Sequence, residues 1–405
     1  MKNHRIGLAA FAVALASAAA AAGADAGLDK ARLAQIGPRM QSFVDKQMVA
    51  GVVTLVAHNG EVVQSSAVGQ QNMEEKKAMA ADSIFQIMSM TKPVTGVAVM
   101  MLAEEGKLSV SDPVELHLPE FKGQLLRDAA GGMVKPKRAI TVRDLMTHTS
   151  GLPANPGPGL YENAYQRMNI PLGEAVKLYS QNALDFEPGT KWQYSNMGIA
   201  TLGRLVEVAS GMTFEQFVQQ RIFDPLGMKD SHFYLPAEKR SRLAMIYRGE
   251  SGALIRSDPK TLLAGDPAVY RKESKYPAPE FGLYSTAADM AAFYTMMLNQ
   301  GMAKGKRLLS KSTVETMTMV HTGDLPAASS GAGFGLTWEV VTGPMAMLTL
   351  RSSGTFGHGG AFGTYGWIDP KKHIVGVFLV QSTSGGSTYA RDAFVTMTNS
   401  ALLDY

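Results

Sequence analysis

Residues 86–106 read QIMSMTKPVTGVAVMMLAEEG, and this stretch decides how the rest of the chain is arranged. From Val94 onward the apolar residues Val94, Val97, Ala98, Met101 and Leu102 recur at helical spacing. Gly106, directly after Glu104 and Glu105, reads as the helix stop. Proline fits a helix only in its first turn, so Pro93 requires the helix to begin close to Ser89. Ser89 then stands at the amino end with Lys92 at i+3 on the same face. A serine hydroxyl at the positive end of a buried helix, beside an amine, has the parts of an activated nucleophile. The pattern S-x-x-K alone carries little weight, because an N-capping serine followed by a chance lysine has the same spelling. A second copy, Ser257-Asp258-Pro259-Lys260, lies in a polar stretch with no apolar helix behind it and reads as a loop.

Upstream, residues 51–69 read GVVTLVAHNGEVVQSSAVG. Two β-rich segments flank Asn59-Gly60, a pairing that favours a two-residue hairpin turn. A helix is expected from about residue 28 to 46, interrupted at Gly37-Pro38. At the other end, segments 334–341, 345–351, 361–369 and 373–382 read as four strands, and a helix from about 387 to 402 closes the chain. Strands at both termini with helices between them predict an α+β architecture. In it the two ends, about 27–95 and 286–405, build one antiparallel sheet flanked by terminal helices, and about 96–285 forms a mostly helical insertion.

The first residues, MKNHRIGLAAFAVALASAAAAAGADAG, place Lys2 and Arg5 before an alanine-rich run and a small-residue site at Ala24 or Ala26. This is the pattern of a cleaved export signal over residues 1–24. With no cysteine, disulfides and a lipoprotein anchor are excluded, and a periplasmic or secreted location is expected. No other stretch approaches the ~20 apolar residues of a membrane span. Removing Lys2 and Arg5 with the leader lowers the net charge from +4 to +2, so nothing points to nucleic acid or an anionic membrane. About 380 residues remain, enough for a large core. The 25 methionines are read as adaptable core filling.

Two further stretches carry chemistry. Residues 186–211, FEPGTKWQYSNMGIATLGRLVEVASG, place Tyr194-Ser195-Asn196 on the loop just before a helix, where side chains reach a cleft. A competing Tyr161-Glu162-Asn163 sits in a Pro/Gly-rich loop without that support. Residues 354–370, GTFGHGGAFGTYGWIDP, place His358-Gly359-Gly360 at the opening of a strand, where glycines let the backbone approach a ligand. The rival His321-Thr322-Gly323 reads as a helix end and His58-Asn59-Gly60 as the hairpin turn. The eight histidines are scattered with no H-x-x-x-H pair, so no metal and no cofactor is expected.

Ser89-Met90-Thr91-Lys92, Tyr194-Ser195-Asn196 and His358-Gly359-Gly360, in this order and spacing, resemble the serine β-lactamase and penicillin-binding-protein superfamily. The branch they most resemble is that of class C β-lactamases and family VIII carboxylesterases. LMTHTSGL (145–152), FDPLGMKDSHF (223–233) and GLYSTAADMAAF (282–293) add to the likeness, which runs from about Gly51 to the C-terminus. The resemblance implies a β-lactamase-like fold with a cleft between an α/β part and a helical part. It implies that Ser89 attacks an acyl carbonyl to give a covalent acyl-enzyme, with Lys92 and Tyr194 sharing the proton handling. Which of the two takes the serine proton is left open, and a lysine beside Tyr194 is expected to lower the phenol's pKa. The backbone N–H groups of Ser89 and Ala361 are the implied oxyanion hole, and Asn196, His358, Gly359 and Gly360 the implied substrate contacts. His148 reads as a structural turn residue.

One departure sets the functional expectation. The β-lactam-active relatives usually carry lysine where this chain has His358. A carboxylesterase for small acyl esters is therefore the leading expectation. A D-alanyl-D-alanine carboxypeptidase or other D-amino-acid peptidase, or a weak β-lactamase, is the alternative, and a non-hydrolysing penicillin-binding sensor the third. Arg351 is noted as a cation able to replace the missing charge. Protonation of His358 toward pH 6 is expected to favour anionic substrates.

Overall fold

The computed structural model describes residues 27–161, 165, 168–257, 274–325, 327 and 331–404. The leader, residues 258–260 of the second S-x-x-K and residues 162–163 of the competing Y-x-N lie outside the described residues. The central sheet is built by both ends of the chain. Its strands are β1 (Gly51–His58), β2 (Glu61–Asn72), β3 (Lys77–Ala78), β4 (Ala332–Phe334), β5 (Glu339–Val341), β6 (Phe356–Gly359), β7 (Tyr365–Asp369) and β8 (Ile374–Val380). They lie in the order β4-β5-β6-β7-β8-β1-β2-β3, and each pairing is antiparallel. β1 turns into β2 at Asn59 (φ 53°) and Gly60 (φ 84°). Two positive φ values in a two-residue loop make the turn whose twist matches the strands.

β1 and β8 pair from Val52↔Val380 to His58↔Ile374 and lock the termini together. Both strands are buried on both faces, so their side chains alternate between two cores. Val52, Val56, Ile374, Phe378 and Val380 enter a core with Ile36, Met40, Phe43 and Phe394. These come from helices α2 (Ile36–Asp45) and α6 (Gly386–Ser400), which with α1 (Lys30–Ala34) cover that face. Val53, Leu55, Val375, Val377 and Leu379 enter the larger core on the opposite face, with α3 (Lys92–Glu104) and α5 (Ala287–Leu298). Between the two halves of the sheet, the segment carries α4 (Asn196–Ser210), shorter helices and small two-stranded pairs.

α3 is the hub. Residues Lys92 to Leu102 are all buried, so the helix has no solvent face at all over that length. Its neighbours press close: a Cβ on Gly96 would lie 2.0 Å from Thr337 Oγ1. Ser89 itself belongs to a short 3₁₀ turn, Met88–Thr91, that leads into α3, and Pro93 sits at the helix start as expected. Gly106 follows the end of the helix with φ 68°.

The structure corrects four local readings. The N-terminal helix breaks at Gln35, not Gly37-Pro38, because Pro38 falls in the first turn of α2 where its missing N–H costs nothing. Segment 334–341 is a hairpin rather than one strand, with Thr337 (φ 69°) in its turn. Segment 345–351 is not a strand: Pro344 starts a 3₁₀ turn that leaves Met345, Leu348 and Leu350 exposed. The strand in its place is β6, so His358 lies inside a strand near its end instead of opening one, and 361–364 is the turn to β7. Glycine is a poor strand former, which hid β6 in the sequence. Here it is required, since a Cβ on Gly357 would meet Gly366 O at 2.3 Å.

The same tightness yields a test of the packing. A Cβ on Gly376 would sit 2.1 Å from the Trp367 ring, whereas one on Gly385 meets nothing within 4 Å. Gly376→Ala should destabilise the fold by roughly 1–3 kcal/mol, as overpacking does. Gly385→Ala should stay within ~0.5 kcal/mol of wild type. Urea-denaturation midpoints of the two variants read the difference.

Candidate active site

The candidate site is assembled where the start of α3, the loop before α4 and the end of β6 meet. Met88, buried and directly before Ser89, has φ 51°, a conformation that L side chains rarely adopt. The strain holds the 3₁₀ turn and presents Ser89, which is half-buried, toward the cleft. Lys92 Nζ donates to Ser89 Oγ at 2.9 Å and to the Glu280 main-chain carbonyl at 2.8 Å. The Tyr194 phenol hydrogen-bonds the Ser89 hydroxyl, and Lys92 Nζ lies 4.6 Å from the centre of the Tyr194 ring. The three residues that the sequence singled out are therefore in mutual contact.

Tyr194 is placed by the cap of α4. Ser195 Oγ accepts the Gly198 N–H at 3.0 Å and donates to Pro153 O at 2.8 Å, so the middle residue of Tyr194-Ser195-Asn196 is structural. Its flanking residues are free to face the cleft. Asn196 Nδ2 donates to Asn155 Oδ1 at 2.8 Å, and Asn196 Oδ1, buried, has no partner among the described residues. His148, with φ 59°, accepts the Ser195 N–H on Nδ1 at 3.1 Å, and its ring lies 4.4 Å from that of Tyr194. It is the turn residue expected, and it fixes the position of Tyr194.

His358 lies 6.2 Å, ring to ring, from Tyr194. Its Nδ1 is 2.7 Å from Gly359 O, and a carbonyl only accepts, so Nδ1 carries the proton. In the neutral ring Nε2 is then an acceptor, and the one donor expected for a substrate is already used. Beyond His358, a Cβ on Gly360 would meet Ile87 O at 2.3 Å, and Thr364 Oγ1 donates to that same carbonyl at 3.0 Å. This close approach brings the turn carrying Ala361 against the segment carrying Ser89. Arg351 is elsewhere. It donates to Tyr365 Oη at 2.5 Å, and Tyr365 pairs with Gly359 while His358 pairs with Gly366. Successive residues of a strand point to opposite faces. Arg351 is thus on the α6 side of the sheet and does not replace the missing charge.

Burial sets the electrostatics. Lys92 is brought down to about 7, first by loss of solvent and against the pull of the Glu280 carboxylate. Tyr194 is pushed up, first by burial and then by the negative charges of Glu280 and Glu339, against the hydrogen bond with Ser89. The lowered phenol expected beside a lysine is thus reversed. His358 is driven down to about 3 by burial and the neighbouring Lys92 charge, so it does not protonate near pH 6 as expected. His148, fully buried, also stays neutral.

Sequence reasoning missed Glu280, which lies wholly buried beside Lys92 and is raised by that burial to about 7. It also missed Trp192 and Phe334, whose rings enclose His148 at 5.9 and 5.0 Å. Glu280 had one signal: a lone carboxyl in the apolar run YPAPEFGLY. Among the described residues no three His, Asp or Glu side chains are grouped to hold a metal ion. No helix among them is long and apolar enough to cross a membrane.

Comparison with known proteins identifies the family and the fold. The family model described as Beta-lactamase matches residues 38–397. Protein Rv1367c of Mycobacterium tuberculosis is 34% identical over 365 residues, covering 84% of this chain and 88% of its own. Esterase EstB of Burkholderia gladioli is 28% identical over 391 residues (88% and 92%), and a putative D-alanyl-D-alanine carboxypeptidase of Salmonella typhimurium 27% over 398 (92% and 88%). Among solved structures, EstCE1, a hydrolase with promiscuous acyltransferase activity, superposes with a TM-score of 0.77 at 25% identity, covering 91% of this chain and 99% of its own. The chain belongs to the Beta-lactamase family, within the serine β-lactamase and penicillin-binding-protein superfamily, and is a serine hydrolase.

Proposed function

We propose that the protein is an exported carboxylesterase that cleaves small, uncharged acyl esters through an acyl-enzyme on Ser89. The observation that carries the choice of substrate is His358, a neutral ring whose free nitrogen is an acceptor and which has no arginine behind it. A lone pair there repels the carboxylate of a β-lactam or a peptide C-terminus, where a lysine attracts it with a charge-assisted bond of about twice the usual strength. The esterase among the relatives supports the same reading. The charged and then alanine-rich leader supports export to the periplasm or beyond.

The proton handling follows from the two opposite shifts. With its pKa near 7, Lys92 is a neutral amine in a large fraction of molecules at neutral pH, whereas Tyr194 keeps its proton. Lys92 takes the Ser89 proton as Oγ bonds the acyl carbon, and the carbonyl electron pair moves to oxygen. The N–H groups of Ser89 and Ala361 hold that oxyanion, a contribution that commonly reaches ~10²–10³ in rate. As the intermediate collapses, the alkoxide leaves with the Tyr194 proton, and the phenolate recovers a proton from the Lys92 ammonium. Water then attacks the acyl carbon, its proton passing to the same pair, and the acid is released. Asn196 Oδ1 orients the substrate, and Gly359 and Gly360 let it lie along the backbone of β6.

The first test is the nucleophile. Ser89→Ala should abolish p-nitrophenyl ester turnover, and Ser257→Ala should leave it intact. Turnover that survives in Ser89→Ala ends this reading.

The second test is substrate charge against pH. Protonated Lys92 cannot accept a proton, so kcat/KM for a neutral ester should fall as pH drops below about 7. Because His358 stays neutral down to about 3, the ratio of cephalosporin to neutral-ester kcat/KM should be flat from pH ~8.5 to ~5.5. His358→Lys should raise that ratio. A wild type that cleaves cephalosporins or D-alanyl dipeptides as well as neutral esters would replace the esterase assignment with the peptidase or β-lactamase one.

A further inference from the structure

The segment from Tyr276 to Leu283 is strapped across the start of α3 by three hydrogen bonds in succession. Thr95 Oγ1 donates to Pro279 O at 2.6 Å, Lys92 Nζ to Glu280 O at 2.8 Å, and the Leu283 N–H to Thr91 Oγ1 at 3.2 Å. The strap fixes more than the main chain. It leaves the Glu280 side chain fully buried, with its carboxylate in electrostatic reach of the Lys92 amine, where an ionised carboxyl is costly unless paired or hydrogen-bonded. Its Oε1 accepts the Tyr276 hydroxyl at 2.8 Å, and Tyr276 Oη is 3.2 Å from Tyr179 Oη. The rings of Tyr165 and Tyr276 are 6.3 Å apart, which completes a phenol shell around the carboxyl.

Among the described residues, the groups that face Glu280 from each neighbouring element are few. They are Lys92 on α3, Tyr179 at the end of the helix Leu172–Tyr179, Tyr165, Tyr276 on its own segment, and Tyr194 before α4. The phenols of Tyr179, Tyr194 and Tyr276 are all pushed up by burial and keep their protons. Among the groups that act on the carboxyl, Lys92 is therefore the one that carries a positive charge.

We propose that Glu280 is a positioning residue for Lys92: its main-chain carbonyl aims the amine at Ser89, and its buried carboxylate sets the pH at which that amine gives up its proton. This rests on the reading of Lys92 as the acceptor of the Ser89 proton. A carboxylate beside a buried ammonium favours the charged form, and loss of solvent favours the neutral one. Desolvation without the carboxylate would take the amine lower still and weaken its basicity toward the serine proton. The carboxylate restores part of that basicity. The phenol shell works against that burial, because hydrogen bonds donated to the carboxylate favour its ionised form, although burial still raises Glu280 to about 7. The two contributions of Glu280 are separable, since a side-chain substitution removes the charge and retains the main-chain carbonyl.

The sign of the expected effect is fixed. Removing the negative charge lowers the Lys92 pKa further, so the amine is neutral at more acidic pH. In Glu280→Gln the acid limb of kcat/KM for a neutral p-nitrophenyl ester should move to lower pH by about one unit or more, the usual reach of one nearby charge. The pH midpoint of Ser89 labelling by a fluorophosphonate should move with it. Tyr276→Phe, which weakens the hold on the ionised carboxyl, should shift both midpoints the same way by less. A residue that merely fills space changes rate or stability but leaves these midpoints where they are. An unmoved or upward-moving midpoint in Glu280→Gln overturns the proposal. If that variant does not fold, an unmoved midpoint in Tyr276→Phe overturns it equally. Labelling that persists in Ser89→Ala fails the acyl-enzyme reading instead, so the two failures are distinguishable.

Discussion

A lysine amine buried without solvent at the start of an enclosed helix is the constraint on which this structure turns. Lys92 is held between Ser89 Oγ and the Glu280 carbonyl, and every residue from Lys92 to Leu102 is buried. An ammonium in such a place is expensive, so the amine is driven toward its neutral form near physiological pH. The fold tolerates the cost because α3 is clamped from all sides. Gly96 admits Thr337 at close range, Thr95 ties to Pro279, and the apolar residues of α3 join the largest core. The packing that makes the helix a hub is the same packing that lowers the pKa of its lysine.

The sheet supplies the other half of the site. Pairing of β1 with β8 brings the two ends of the chain into register. β6, two strands along, carries His358 to the cleft, and the following turn carries Ala361 against the Ser89 segment. Strand alternation decides which charges reach the substrate. His358 shares its face with Gly366, while Arg351 is held on the other side by Tyr365. Beside Lys92, the rings of His148, Trp192, Tyr194, Phe334 and His358 form an aromatic wall.

Local signals in the sequence carried the scaffold well. Asn59-Gly60 announced the hairpin, Pro93 and Gly106 bounded α3, and the glycine-opened turn after His358 marked close backbone approach. Ser89, Lys92 and Tyr194 were recognisable because their spacing follows from the elements that hold them. β6 was not legible, since it is rich in glycine, and Gly357 is required by the close approach of Gly366 and Trp367 and not by strand propensity. The apolar run 345–351 offered a false strand in its place. Glu280 was hidden for another reason: its role depends on a contact across 188 residues of sequence, which no local pattern encodes. The pKa directions of Tyr194 and His358 were likewise tertiary, because burial depth decides between the charge of a neighbour and the loss of water.

The central claim is a covalent acyl group on Ser89 during turnover, and the acylated protein itself is the most direct witness. The protein is mixed with a slowly hydrolysed p-nitrophenyl ester, quenched in acid within the first turnover, digested and read by mass spectrometry. The account predicts one acyl group on the peptide containing Ser89, formed early and lost as the acid product accumulates. An acyl group on a peptide without Ser89 would contradict it.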